Sequence, residues 1–496
     1  MLRQETEKIE KQIQKIKHTL AHVYERVEKL PLSRYHRNKL IDNEFFRYKP
    51  NMNIKQIRPK RLETACVIVV LAMIVFVGWR VAHVIFFDDW WILMGGIYGL
   101  LVAYIIVQQF IVSYFIYRDP YAKAKKNPLV KIVKPKVSVV IATKNERFII
   151  FDTVYSALNC SYKNLEVCIV NDGSDDNFTA YNIDELVKAN PGRVRAKHLE
   201  RNEGKRKAMR HGFYLAEGEI IVFLDSDTIV EYEAIEKLVA CMVDDPHYGA
   251  IVGYCRALNA DYNWLTRMQD GWYHSAFTVG KGMEHSLGTV SCCSGILSAY
   301  RREAIEPCID RWAEDWFLGQ EFWAGDDRQL TAYVCGGNKY TINKNLKQWR
   351  TGYCETALSI SETPYKFKKF VMQQVRWMQS WTRVMCFTFP WWYKGRHPLV
   401  AIDYYLRMGL SYLAPIIAVN NLIIAPLTGH WDSTAIYLGG LTALSFLFAM
   451  DFKLYNPDTG YKWLYRVAFT FVSVSCLYFL LYYSLWTLRK NDWLTR

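Results

Sequence analysis

At 496 residues the chain exceeds one ordinary domain, and two or three parts are expected. Hydrophobic residues make up 51% and aromatics 15%, yet the mean hydropathy is only −0.07, which excludes an all-helical transporter and requires a large water-soluble portion. A formal net charge of +14 fits nucleic acid, anionic lipid or an anionic substrate, but much of the Lys and Arg flanks apolar segments, where it holds membrane helices in place.

Residues 1–35 come first. Ile9, Ile13, Ile16, Leu20, Val23, Val27 and Leu30 step alternately by four and three, a heptad seam. The seam either pairs two chains as a coiled coil, giving a homo-oligomer through residues 9–30, or packs on the chain's own soluble part. The charged first 60 residues lack the apolar core of a signal peptide. Residues 62–118 hold two apolar stretches, each long enough for a span of about 20 residues. Cations lie outside the pair, and Asp88 and Asp89 lie at its turn, so both ends of this hairpin are expected in the cytosol.

Residues 136–360 are different material. The runs VSVVIAT, LEVCIVND, EIIVFLDSD and YGAIVGY alternate with helical patterns, which predicts a parallel-rich, Rossmann-like α/β sheet. Residues 361–397 predict interfacial helices, and residues 398–452 two further membrane helices. The last apolar stretch, 463–488, has cations at both ends, which favours a re-entrant or interfacial segment over a simple crossing. The 12 cysteines include no C-x-x-C pair, and adjacent Cys292 and Cys293 are poorly placed to bridge, so a reducing compartment is expected.

The chemistry-bearing residues fall where such sheets bind ligands, at the C-terminal ends of strands. The second run ends in Asp172 before Gly173, where a carboxylate meets a base or ribose; Asp-Gly is also ordinary turn chemistry. The third run ends in Asp225-Ser226-Asp227. Two carboxylates one residue apart present hard oxygen donors for Mg²⁺ or Mn²⁺, with a diphosphate completing the shell. Lys205, behind Gly204 at a predicted helix start, suits a phosphate. In AGDDRQLT, Asp327 is the candidate general base, with Asp326 as support or helix cap. QQVRW places Gln373 and Arg376 on one helix face, with Trp377 beside them as a flat ring for a pyranose.

In this order Asp172, the Asp225-Ser226-Asp227 run, the Asp326-Asp327 pair and QQVRW resemble the processive family-2 glycosyltransferases, a group that includes hyaluronan, cellulose and chitin synthases. The resemblance covers roughly residues 60–496. It is nearest the hyaluronan synthases of the streptococcal type, through NEGKRKA, FLDSDT, CCSGILSAYRRE, FLGQ, GDDRQLT, QQVRW and the terminal WTLRKNDWLTR. It implies a GT-A catalytic domain on the cytosolic side of the plasma membrane, inserted between transmembrane helices. It also implies that Asp172 and Lys205 contact the nucleotide, Asp225 and Asp227 the metal, and Asp327 takes the acceptor proton. Cys293, Ser294 and Gly295 would line the acceptor site together with Gln373 and Trp377, and Arg376 would meet the diphosphate. Trp493 and Arg496, in the 489–496 end, would close over the bound nucleotide. Leu494 stands where the family has Gly, a departure in the geometry of that end.

The expected activity is inverting, processive polymerisation of UDP-sugars, foremost UDP-GlcNAc and UDP-GlcA into hyaluronan, with passage of the polymer across the membrane. Alternatives are a chitin-like or glucose/glucuronate polymer and, more distantly, a non-catalytic membrane scaffold. No nucleic-acid partner is expected, because the basic residues do not gather on a recognisable binding fold.

Overall fold

The computed structural model describes residues 90–146 and 149–489. The heptad segment, the first expected span and the pair Trp493 and Arg496 lie outside these residues.

Helix α1 (Trp90–Ile111) runs on as a π turn to Ile116 and leads into the soluble domain. There the elements run β1 (Val137–Thr143), α2 (Ile149–Leu158), β2 (Leu165–Asn171), α3 (Asn177–Ala189), β3 (Val194–His198), α4 (Lys205–Leu215), β4 (Ile220–Leu224) and β5 (Thr228–Val230). They continue with α5 (Ala234–Asp244), β6 (Tyr248–Ala257), α6 (Trp264–Ser275), α7 (Gly282–Ser286) and β7 (Leu297–Arg301). A two-residue hairpin of β8 (Trp316–Phe317) and β9 (Gln320–Glu321) precedes α8 (Asp326–Ala332), β10 (Arg350–Ser361) and the long α9 (Phe367–Thr388).

The sheet order is β3-β2-β1-β4-β7-β6-β10-β5. The first four strands are mutually parallel, while β7 runs antiparallel to both β4 and β6. All four strands expected from the sequence form, and the sheet is mixed in its second half. Side chains alternate between two cores, as strand geometry requires. Val139, Ile141, Val167 and Ile169 pack with Ile150, Val154 and Leu238 on one face; Val140, Cys168, Ile221 and Phe223 pack with Met209 and Phe213 on the other. Strands covered on both faces read as unbroken apolar runs, which is why they stood out. In the parallel half, Thr143 pairs with Asn171 and Val140 with Phe223, so Asp172 and Asp225 emerge from one edge of the sheet.

Among the described residues, four helical stretches are long and apolar enough to cross a membrane: Gly95–Ala124, Pro398–Leu427, Trp431–Tyr455 and Leu464–Trp486. They take in α1 from Gly95 onward, α10 (Pro398–Val419), α11 (Trp431–Tyr455), and α12 (Leu464–Val472) with α13 (Tyr478–Trp486). The soluble domain is bolted to them by a buried polar knot. Asp451 of α11 accepts the Tyr114 hydroxyl and lies 3.2 Å from His274 Nε2 on α6, whose Nδ1 is 2.8 Å from the Tyr254 hydroxyl of β6.

The last apolar stretch differs from a re-entrant turn. Residues Leu464–Trp486 are helical throughout, α12 passing into α13 through a π turn with helical backbone at each junction. At 23 residues this rod is about 34 Å long. It has no break at which the chain could double back.

Candidate active site

Lys205 opens α4, behind Gly204 (φ 92°). Its Nζ lies 2.6 Å from Asp225 Oδ1 and 2.7 Å from Asp326 Oδ2. One ammonium thus joins the end of β4 to the start of α8, elements about a hundred residues apart in the chain. Burial opposes its charge, but the two carboxylates outweigh that and hold the Lys205 pKa above the usual lysine range.

The neighbouring acids part company. Burial alone would raise Asp326, but Lys205 pulls its carboxyl below the usual range. Burial raises Asp327, and the charge on Asp326 raises it further. Asp327 Oδ2 lies 3.4 Å from the Gly295 amide and 3.5 Å from Cys292 Sγ, while Oδ1 accepts the Arg328 amide at 2.7 Å. Two titratable groups whose surroundings push them apart are the physical signature of divided acid–base labour. A carboxylate with raised pKa is the better proton acceptor of the two.

Gly295 sits between Asp327 and Asp225. A Cβ there would lie 3.4 Å from both Asp225 Oδ1 and Lys205 Nζ. Gly325, in front of α8, has φ 74°, and a Cβ would collide with Ser380 of α9. That contact seats α9 on the site. Arg383 of α9 forks onto Asp315, its Nε at 3.0 Å, and Arg206 of α4 reaches the same carboxylate at 3.3 Å. The helix bearing QQVRW is therefore locked to the helices bearing Lys205 and Asp327.

Comparison with known proteins agrees with this geometry. The Glycosyl transferase family 2 signature matches residues 138–308. The chain carries a family-2 glycosyltransferase domain. A hyaluronan synthase of Streptococcus pyogenes is 29% identical over 415 residues, covering 81% of this chain and 90% of that protein. An N-acetylglucosaminyltransferase of Azorhizobium caulinodans is 27% identical over 365 residues, covering 73% and 87% respectively. A mannosyltransferase from Pyrobaculum calidifontis, solved with GDP-Man and Mn²⁺, superposes with a TM-score of 0.51 at 16% identity, over 80% of this chain and 99% of that one. The likeness shows a GT-A fold, and the glycosyltransferase resembles hyaluronan synthase.

Within this domain some expected site residues are drawn together and others are not. Lys205, Asp225, Gly295, Asp326 and Asp327 form one connected set. Asp227 stands at its edge, accepting the Ser361 hydroxyl at 3.1 Å. Among the described residues no three His, Cys, Asp or Glu side chains gather as a closed metal cage. The pair Asp225 and Asp227 nonetheless has the right donor chemistry for a hard cation that takes its remaining oxygens from a diphosphate and water.

Asp172 spends its carboxylate locally. Oδ1 accepts the Glu203 amide at 2.7 Å and Oδ2 the Gly204 amide at 3.1 Å, so it fixes the turn that presents Lys205. Cys293 turns into the core, fully buried, with its amide bonded to Thr331 Oγ1 at 2.9 Å. Its neighbour Cys292, not the Cys293 expected from the sequence, is the one beside Asp327. Ser294 Oγ is buried without a hydrogen-bond partner among the described residues. Gln373 lies beside Tyr273, and Trp377 stacks on Trp272 with centroids 5.5 Å apart. Arg376 lies on the same helix, its Nε buried.

Thr143 and Lys144 were missed. Thr143 ends β1 and Lys144 follows it; the Thr143 carbonyl accepts the Asp172 amide at 2.9 Å, and the Lys144 charge acts on Asp172. The available signal was that β1 ends at the same sheet edge as β2.

Proposed function

We propose that the chain is a processive, inverting glycosyltransferase that polymerises UDP-sugars on the cytosolic face of the plasma membrane and passes the polymer out through its own membrane helices. The observation that carries this reading is the Asp327 carboxylate set beside the Gly295 amide, next to a lysine shared by Asp225 and Asp326.

In this reading the donor diphosphate lies along Lys205 and Arg376. Asp225 and Asp227 would hold Mg²⁺ or Mn²⁺, which when bound neutralises charge on the departing diphosphate. The acceptor hydroxyl enters past Gly295. Its oxygen forms a bond to the anomeric carbon while the bond from that carbon to the UDP oxygen breaks and UDP keeps the electron pair. Asp327 takes the hydroxyl proton. Trp377, beside Trp272, offers a ring edge to the acceptor sugar, and Trp493 and Arg496 would close over the nucleotide.

The sugars we propose are UDP-GlcNAc and UDP-GlcA, making hyaluronan, in keeping with the 29% identical relative. The second reading is a chain of N-acetylglucosamine alone, favoured by the N-acetylglucosaminyltransferase relative. Purified protein given each UDP-sugar singly and in pairs, with the product digested by linkage-specific hydrolases, separates them. Polymer formed only from the GlcNAc and GlcA pair supports the first; polymer from UDP-GlcNAc alone supports the second.

A further inference from the structure

Trp272, on α6, belongs to two stacked pairs at once. Its ring lies against Trp377 of QQVRW, with centroids 5.5 Å apart and planes 23° from parallel. It also lies against Phe469 of α12, at 5.6 Å and 26°. The next residue, Tyr273, is buried with its ring 6.4 Å from Trp377. Among the described residues, the aromatic rings that meet Trp377 both come from α6. The long helix α9 therefore supplies the tryptophan, and α6 supplies the rings it rests on.

This turn of α6 is held firmly on either side of the stack. Asp270 accepts Arg256 Nε of β6 at 2.7 Å, and Ser275 Oγ accepts Arg466 Nε of α12 at 3.0 Å. Between them a Cβ at Gly271 would lie 3.1 Å from the Arg466 side chain, so α12 comes close to α6 just where Trp272 projects. Burial pushes the Tyr273 hydroxyl above the usual tyrosine range, and the Asp227 and Asp225 charges push it further, which places this turn beside the paired carboxylates as well.

A sugar resting on an indole takes its orientation from the plane of that ring, and small errors of orientation are costly for a reacting hydroxyl. An indole without a neighbouring ring is free to choose among its rotamers. Trp272 removes that choice. The set of Lys205, Asp225 and Asp326 is joined without it.

We propose that Trp272 is a positioning residue for the acceptor, setting the plane of Trp377 and, through Phe469, tying that plane to the last apolar helix. It acts through Trp377 and not on the sugar directly. This inference rests on the reading of the chain as a polymer synthase with Trp377 at the acceptor.

The test supplies the full chain in lipid with UDP-GlcNAc and UDP-GlcA and measures polymer-bound sugar, free sugar and UDP. Free sugar arises when water attacks the donor in place of the acceptor, and water needs no stacking ring. Trp272→Leu should raise the ratio of free to polymer-bound sugar on the order of tenfold, the cost of slight misplacement of reacting groups, with the donor KM near that of the parent. Trp272→Phe keeps a flat ring and should restore most of the coupling. Phe469→Leu should raise the ratio in the same direction by less. A purely structural role for Trp272 would lower both products together, in step with a fall in Tm, and would overturn the proposal, as would a parent-like ratio in Trp272→Leu. If Trp272→Leu does not fold, Phe469→Leu decides: a raised ratio supports the proposal and an unchanged one overturns it. A parent protein that builds no polymer from UDP-GlcNAc, alone or with UDP-GlcA, would instead refute the underlying synthase reading and this inference with it, and that result is visible before any variant is made.

Discussion

Gln379 donates its side-chain amide to the Thr487 carbonyl at 2.9 Å and lies 3.2 Å from the Thr487 hydroxyl. Gln379 is on α9, two residues beyond Trp377, and Thr487 caps the last apolar helix. Near its other end that helix meets α9 again, where Phe469 faces Phe370 with centroids 6.4 Å apart. The chain leading to residues 490–496 therefore departs from beside the QQVRW helix.

Gln379→Leu leaves the Thr487 carbonyl buried without its donor, a penalty of about 1–3 kcal/mol. If residues Trp493 and Arg496 serve the nucleotide, this variant should raise the apparent KM for UDP-sugar more than it lowers kcat. Steady-state kinetics with varied donor check this. An unchanged KM with lowered thermal stability would leave Gln379 a purely structural residue.

Asp327→Asn should cost about 10²–10⁴ in rate, the usual loss for a general base, while donor binding survives. The raised carboxyl also fixes a pH sign. Asp327 acts ionised, so activity should fail on the acid side at a higher pH than an ordinary aspartate would give. Its stability contribution runs the other way: present below the unfolded pKa and lost as pH rises through the higher folded value. Asp326→Asn removes the charge that raises Asp327, so the acid limb of the rate profile should move to lower pH. A limb unmoved by Asp326→Asn would mean that another group titrates.

Gly295→Ala tests the crowded space between Lys205 and Asp225. Gly295 has no left-handed backbone to strain, and the new methyl would only just touch the two side chains, each at 3.4 Å. Stability should change by less than about 0.5 kcal/mol. The methyl would occupy space assigned to the reacting sugar, so turnover should fall on the order of tenfold, the cost of slight misplacement of reacting groups. Melting curves and initial rates on one preparation separate the two effects.

Chelation should abolish turnover, and Mg²⁺ or Mn²⁺ should restore it, because Asp225 and Asp227 are the only paired carboxylates at the end of β4. Asp227→Asn should raise the metal concentration needed for half-maximal rate. Full turnover in EDTA would contradict the metal assignment.

Much of this was legible in the sequence because the central strands are buried on both faces. VSVVIAT and EIIVFL could hardly be anything else, and a carboxylate following such a strand sits at the ligand-binding edge. β3 was missed because VRAKH is partly exposed and polar. The partnership of Lys205 with both Asp225 and Asp326 was not legible, since it joins residues that only the tertiary fold brings near. Nor was the local use of Asp172, whose partners at Glu203 and Gly204 lie some thirty residues on. Choosing between Cys292 and Cys293 required the phase of the chain entering β7. The continuity of the last helix was missed because basic flanks on both sides speak to insertion in lipid, not to backbone breaks.

The central claim is that one chain both builds and exports a polymer from UDP-sugars. Proteoliposomes containing only this protein, with its transferase domain facing the bath, should be given UDP-GlcNAc, UDP-GlcA and Mg²⁺ outside, followed by a hyaluronan-degrading hydrolase. The account predicts a long polymer inside the vesicles, resistant to the enzyme until detergent is added. Polymer digested without detergent, or release of single transferred sugars only, would contradict it.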